Sequence, residues 1–340
     1  MAGEGNPVGG AMAAPPAKAQ ARRGSVIQRF LIWREASVIV VAIALVVYFE
    51  LTNDNFVSSA NLQTLSQFIA APAIIACGEI MLLICKEIDL SAGQTFALAP
   101  FIVYFAAQAG LPVIVGIILA LMVCAMIGFT IGMITVKLGV PSFITTLGTL
   151  FLINGLTLTV SRGFPANTVG GPALSYIMGN APYAEIIWAV LIVFVGHMVL
   201  RRTRWGMHTI AVGGNLIGAA EAGIHVNRIK VGNFMLTATL AGFAGILEAF
   251  RIGSTDPLAG GSNIMFLAVA SGVIGGTALT GGSGTIIGGL LGAVVLGVLQ
   301  DGFTLQGVNA FKFDMIIGAA ILLAMTSNIY LGRIRNGGRS

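Results

Sequence analysis

The side chains of this sequence that could do chemistry are few, and they are scattered among apolar runs. Glu79, Glu87, Asp89 and Glu248, with the milder Gln94 and Asn154, are the polar groups placed within or beside such runs. Glu79 has apolar neighbours on both sides, a costly place for an ionisable group that points to a protein interior or a hydrated path. Glu248 stands three residues before Arg251, the spacing of an ion pair along one helix, so it reads either as an interfacial carboxylate or as a pathway group. His197, His208 and His225 lie at or near a basic stretch and read as solvated or interfacial. Cys77, Cys85 and Cys124 lie in apolar runs, at spacings that fit neither a disulfide framework nor a zinc site, and read as thiols facing lipid or core. No lysine is followed by Ser or Thr, so the chain lacks a Walker A phosphate loop, and neither H-E-x-x-H nor G-x-S-x-G occurs. Catalysis by this chain has no visible seat, and no metal site or bound cofactor is expected.

The elements that hold these groups follow from composition. Of 340 residues 56% are hydrophobic and 9% charged, where a soluble protein carries roughly 25% charged residues. Apolar runs of about 20 residues follow one another along most of the chain, which is the length needed to cross a bilayer. The net charge of +5 sits in short clusters between those runs, a pattern of membrane topology and not of nucleic-acid binding.

The reading is an all-α polytopic membrane protein of about ten transmembrane helices, some short or broken. Residues 1–34 are expected as a disordered cytoplasmic tail without a cleavable signal, and residues 331–340 as a second cytoplasmic tail. Residues 35–330 form the membrane domain, with a cytoplasmic loop at 201–230 and a span starting at Val231. The run 263–274 is short and flanked by glycine, which predicts a partial span beside protein or water. Alternating the loops with both termini inside places all but Arg162, Arg251 and Lys312 of the 18 basic residues on the cytoplasmic side.

Within the loop, Ala211–Ile224 is rich in small residues. Asn215 is a good N-cap and Gly223 a good stop, which predicts a short exposed helix that another protein could grip. Gly284, Gly288 and Gly292 recur on one helix face, where they serve either an internal helix contact, the favoured reading, or a subunit interface.

Glu87–Gln94, Pro141–Thr149, Asn154-Gly155-Leu156, Gly213–Ile224 and Gly275–Thr285, taken in this order, resemble the ribose-type family of ABC sugar importer permeases from about Gln67 to the C-terminus. The resemblance implies a second permease copy, identical or not, two cytoplasmic ATPase subunits and a periplasmic sugar-binding protein, in a bacterial inner membrane. ATP and Mg would be bound by the ATPase partners and no cofactor by this chain. It also implies that Gly213, Asn215, Ala219, Ala220, Gly223 and Ile224 form the segment that couples to the ATPase. One departure stands out. Where such permeases often read Gly-Gly-Ile-Asp-Leu-Ser-Val-Gly-Ser, this chain has Lys86-Glu87 before Ile88 and Gln94 at the end, so substrate preference does not carry over.

The expected activity is passage of a monosaccharide or related polyol. Such cargo needs donors and acceptors, for which Gln94, Asn154, Asp89 and Thr157 are candidates with Glu79. Branched-chain amino acid or nucleoside import on the same architecture, and an ion-coupled secondary transporter with Glu79 or Asp89 as its ion site, remain the alternatives.

Overall fold

The computed structural model describes residues 34–309, 312, 315–323 and 326; both expected tails, apart from Arg34, lie outside them. The architecture is all-α. In order it comprises α1 (Arg34–Thr52), α2 (Ser59–Ile84), α3 (Ala92–Gln108), α4 (Val113–Lys137), α5 (Ser142–Ser161), α6 (Pro172–Ser175) with a following π-turn, and α7 (Ala184–Arg202). Two short helices, α8 (Arg204–Gly214) and α9 (Leu216–Glu221), lead to α10 (Val226–Ile252), α11 (Gly261–Ile274) and α12 (Ile286–Leu305). Residues 315–323 are helical as well. Among the described residues seven helices are long and apolar enough to cross a membrane: α1, α2, α4, α5, α7, α10 and α12.

The middle of the bundle is α2, buried from Leu65 almost without a break to its end. It packs against α10, α12, α11 and α7, while α10 also lies along α4 and α3. Small residues let these backbones approach, as helix contact in lipid requires. Gly128 and Gly132 of α4 meet the backbone of Phe234 and Val231, and Gly245 of α10 meets that of Phe96. The glycine stripe of α12 turns inward in the same way: Gly288 and Gly292 lie against the carbonyls of Gly275 and Ser271 at either end of the same turn region of α11. For Gly288 and Gly292 the contact is internal, the favoured of the two readings; Gly284 is not on that helix face, since it precedes the N-cap Thr285 and lies against Ile84 and Thr277.

Two features depart from the expected spans. The seventh span begins at Val226 and not at Val231, because the charges that argued against it are accommodated: Lys230 pairs with Glu87 at 2.5 Å and Arg228 points to solvent. Residues 201–230 are therefore not one loop but the last turn of α7, two short helices and the first turn of α10.

The second feature is a pair of breaks. After α2 ends at Ile84 the chain turns back on itself, and the backbone N–H of Asp89 donates to Glu79, more than a turn up the helix it has just left, at 3.4 Å. α3 thus starts inside the bundle. After α10, residues Ser254–Thr255 form a two-residue antiparallel ladder with Ala166–Asn167, and the chain then folds inward to Gly260 and Gly261, whose positive φ angles of 79° and 55° suit glycine. There Gly93 of α3 touches the carbonyl of Gly261, so α3 and α11 both begin at the same depth. With 14 residues, α11 is the partial span that its length and flanking glycines predict.

Candidate functional site

A cavity of about 610 Å³ opens where these breaks meet, within the size of small-molecule sites, about 300–1,000 Å³. Its walls come from the first half of α2, from α3, from the end of α10 and from the 254–264 segment. Gln67, Thr64, Asn263 and Gln300 supply neutral hydrogen-bonding groups, and Phe68 and Phe96 supply aromatic faces. Pro72 and Pro100 also line it. Each sits inside a helix, where the missing N–H deprives the carbonyl four residues earlier, that of Phe68 or Phe96, of its usual helical donor.

One wall is fixed by an ion cluster. Arg251 grips Glu248 through Nε at 2.9 Å and Nη2 at 2.5 Å, a two-pronged contact. It also lies 3.3 Å from Glu185 at the start of α7, and its Nη1 donates to Gln67 of α2 at 3.3 Å. The cluster ties α2, α7 and α10 together and leaves Arg251 no spare charge for a ligand.

The sequence-derived pathway residues lie elsewhere. Glu79, Asp89, Gln94, Asn154 and Thr157 are all absent from the cavity lining. Glu79 and Asp89 are fully buried, and Asp89 accepts from both the N–H and hydroxyl of Ser91, at 2.9 and 2.6 Å, which shapes the turn into α3. Their remaining oxygens, Glu79 Oε1 and Asp89 Oδ2, have no hydrogen-bond partner among the described residues. Gln94 is buried in the first turn of α3, just before Phe96 and Ala97 of the cavity wall. Asn154 and Thr157 are on α5, where the Thr157 hydroxyl donates to its own helix at Ile153. Sequence reasoning missed Gln67, Asn263 and Gln300, because nothing local sets them apart from other amides. It offered Glu248 either as an interfacial carboxylate paired with Arg251 or as a pathway group, and the structure shows both the pairing and a place in the cavity lining.

At the other end of α10 the short helices form a second candidate surface. Asn215 caps α9 by accepting from the N–H of Gly218 at 3.0 Å, and Gly223 ends the segment at φ 80°. Ala219 is buried in a small apolar cluster with Cys85, Val212 and Ile229, with Ile224 against it, while Ala220 is exposed. Leu216 and Ile217, not singled out from sequence, are 45% and 69% exposed, an apolar tip facing outward. The base of this knob is bound to the central helix. Gly213 lies against the carbonyl of Ile84 in a space that any side chain would fill, and the same carbonyl accepts from Gly282 at 2.9 Å. Asn233 joins Trp205, Thr209 and the carbonyl of Met81.

A family model described as branched-chain amino acid transport system / permease component matches residues 60–325. The xylose/arabinose import permease protein of Sulfolobus acidocaldarius is 36% identical over 321 residues, covering 91% of this chain and 87% of its own length. The ribose import permease protein of Escherichia coli K12 is 33% identical over 296 residues, with 85% and 91% covered. The autoinducer 2 import system permease protein of Yersinia enterocolitica is 31% identical over 313 residues, with 89% and 83% covered. No solved structure matches the chain. With apolar helices sufficient for several crossings and a match across most of its length, the chain is a multi-pass membrane protein that belongs to the family of transport-system permease components.

Proposed function

We propose that the chain is the membrane subunit of an ATP-driven importer that carries a monosaccharide or related polyol across the bacterial inner membrane. The observation that carries this reading is the cavity: amides and hydroxyls beside two aromatic faces, with its one arginine already paired, and with Asp256, which accepts from the N–H of Leu258, as its one carboxylate outside the ion cluster, so that no free cation is offered. A polyhydroxylated neutral molecule can use such a lining, whereas a zwitterionic amino acid would need unsatisfied charges of both signs. The names of the relatives above point the same way. Gln67, Asn263 and Gln300 are assigned as cargo contacts, with Gln94, Asn154 and Thr157 as further groups along the path and Glu79 with Asp89 as buried acids that hold the turn into α3.

The subunit works with a second permease copy, two ATPase subunits on the cytoplasmic side and a sugar-binding protein outside; ATP and Mg belong to the ATPases. About ten crossings, with both termini inside, put the knob formed by Gly213–Ile224 in the cytoplasm and the cavity mouth outside. Closure of the ATPase pair on ATP draws two such knobs together. Through Gly213, Ile84 and Gly282 that movement reaches the end of α2 and the α11–α12 turn, and so the walls of the cavity.

The test is uptake of labelled pentoses and hexoses by cells that express the chain with its ATPase and binding protein. Expected is sugar uptake that a membrane uncoupler leaves intact, that leucine does not compete with, and that Asn263→Ala lowers about tenfold at subsaturating cargo, the loss of one or two hydrogen bonds. Uptake that persists without any ATPase and collapses with the uncoupler would overturn it in favour of secondary transport.

A further inference from the structure

A second concavity, of about 600 Å³, opens on the bundle surface between α7 and α10. Leu191 and Val195 form one wall and Met235 the other; Cys77 and Met81 of α2 make the floor, and Trp205 closes one end. Two glycines keep it open, since a side chain at Gly196 or Gly232 would drive into the Cys77 thiol or the Trp205 ring.

Water is a poor occupant. The indole N–H of Trp205 is already given to Asn233 at 2.9 Å, and the thiol of Cys77 lies 4.0 Å from the carbonyl of Ile192. A buried water needs two to four polar partners, and these walls offer it none that are free. An empty cleft of this size would forfeit the dispersion contacts of everything lining it. Both α7 and α10 are among the membrane-crossing helices, so the molecules that reach the cleft are lipids.

The Trp205 end is different. Tryptophan marks the membrane–water interface, and here it is flanked by Arg201, Arg202 and Arg204, all exposed. None of the three forms an ion pair among the described residues. Arg202 follows the cleft residue Val199 by three positions, on the same face of α7. The lining itself is apolar, and the chain between Val199 and Trp205 carries three exposed arginines, a combination that suits one anionic phospholipid.

We propose that this cleft binds a single anionic phospholipid, an acyl chain between α7 and α10 and the headgroup phosphate on Arg201, Arg202 and Arg204. The site does not depend on which cargo the protein carries. Because the headgroup end of the lipid rests on Trp205, and Trp205 anchors α8 to α10 through Asn233, the bound lipid braces the base of the knob.

The test uses the full-length chain carrying Trp33→Phe and Trp188→Phe, which leaves Trp205 as the remaining one of its three tryptophans. It is placed in nanodiscs whose lipid is progressively replaced by phosphatidylglycerol or phosphatidylcholine with brominated acyl chains, which quench a tryptophan they touch. Expected is saturation of quenching at a lower mole fraction of the phosphatidylglycerol, a preference that falls about fivefold for each of Arg201→Gln, Arg202→Gln and Arg204→Gln. Native mass spectrometry of the unaltered chain should retain one phosphatidylglycerol, and the triple variant, with an unchanged thermal midpoint in lipid-free detergent, should lose it. Equal quenching by both lipids would mean an ordinary annulus and overturn the proposal. Absence of quenching would overturn it too, since no lipid chain would then touch Trp205.

Discussion

Lys86 is held at φ 64°, in the left-handed region that an L side chain enters at a cost of roughly 1–2 kcal/mol. Lys86 is one of the residues at which the sequence departs from the motif it resembles, and here it stands in the turn that follows α2. Lys86→Gly is expected to raise stability by about 1 kcal/mol, read as a higher unfolding midpoint in detergent, with uptake unchanged; a lower midpoint would contradict it. Its neighbour Glu87 has a use that explains the added charge, since it pairs with Lys230 in the first turn of α10. The Glu248–Arg251 pair was legible because three residues along a helix suffice to define it. Glu185 and Gln67, which complete the cluster, come from α7 and α2 and left no local sign. Arg251→Ala should strand two carboxylates at the junction of three helices and cost about 3 kcal/mol, and Arg251→Lys should recover little because one ammonium cannot grip Glu248 with two prongs. Thermal unfolding of both variants checks this, and full recovery by lysine would refute the two-pronged role.

Among the elements, α9 was the most readable, since a cap and a stop at its ends are properties of Asn215 and Gly223 themselves. Which of its faces is free was not readable, because that depends on the packing of Cys85, Val212 and Ile229. The distinction changes what a mutation reports. Ile217→Asp, on the exposed tip, should abolish co-purification of the ATPase and leave the unfolding midpoint within about 0.5 kcal/mol of the original in stability. Ala219→Arg should lower the midpoint as well, because it forces a charge into the buried cluster. If Ile217→Asp keeps its ATPase, the exposed tip is not the gripping surface. The start of α10 was hidden for a similar reason: Arg228 and Lys230 look like loop residues until a partner and solvent are assigned to them. The inward fold at 254–260 was illegible beyond its glycines, since a ladder of two residues has no periodicity to detect.

For the molecule as a whole, apolar run length and the placement of basic residues carried the all-α membrane architecture, because both are set by the bilayer and not by tertiary detail. The cavity was not legible, as it is made by breaks in two helices that meet only after folding. The proposed orientation is checked with single cysteines in a background freed of Cys77, Cys85 and Cys124: a membrane-impermeant thiol reagent added to intact cells should label Gly163→Cys and spare Gly223→Cys. The reverse pattern would invert the topology and place the cavity mouth inside. The half-length helix α11 bears on how such a chain is made. Its 14 residues rise about 21 Å, short of the roughly 30 Å hydrocarbon core, so it cannot enter the bilayer on its own merits as it leaves the ribosome. Its place at membrane depth rests on α12, whose glycines offer the surface it closes against. A released chain ending at Thr285 should therefore leave α11 open to protease in the membrane, while one extended through Leu305 should protect it, so that the two helices enter as a pair.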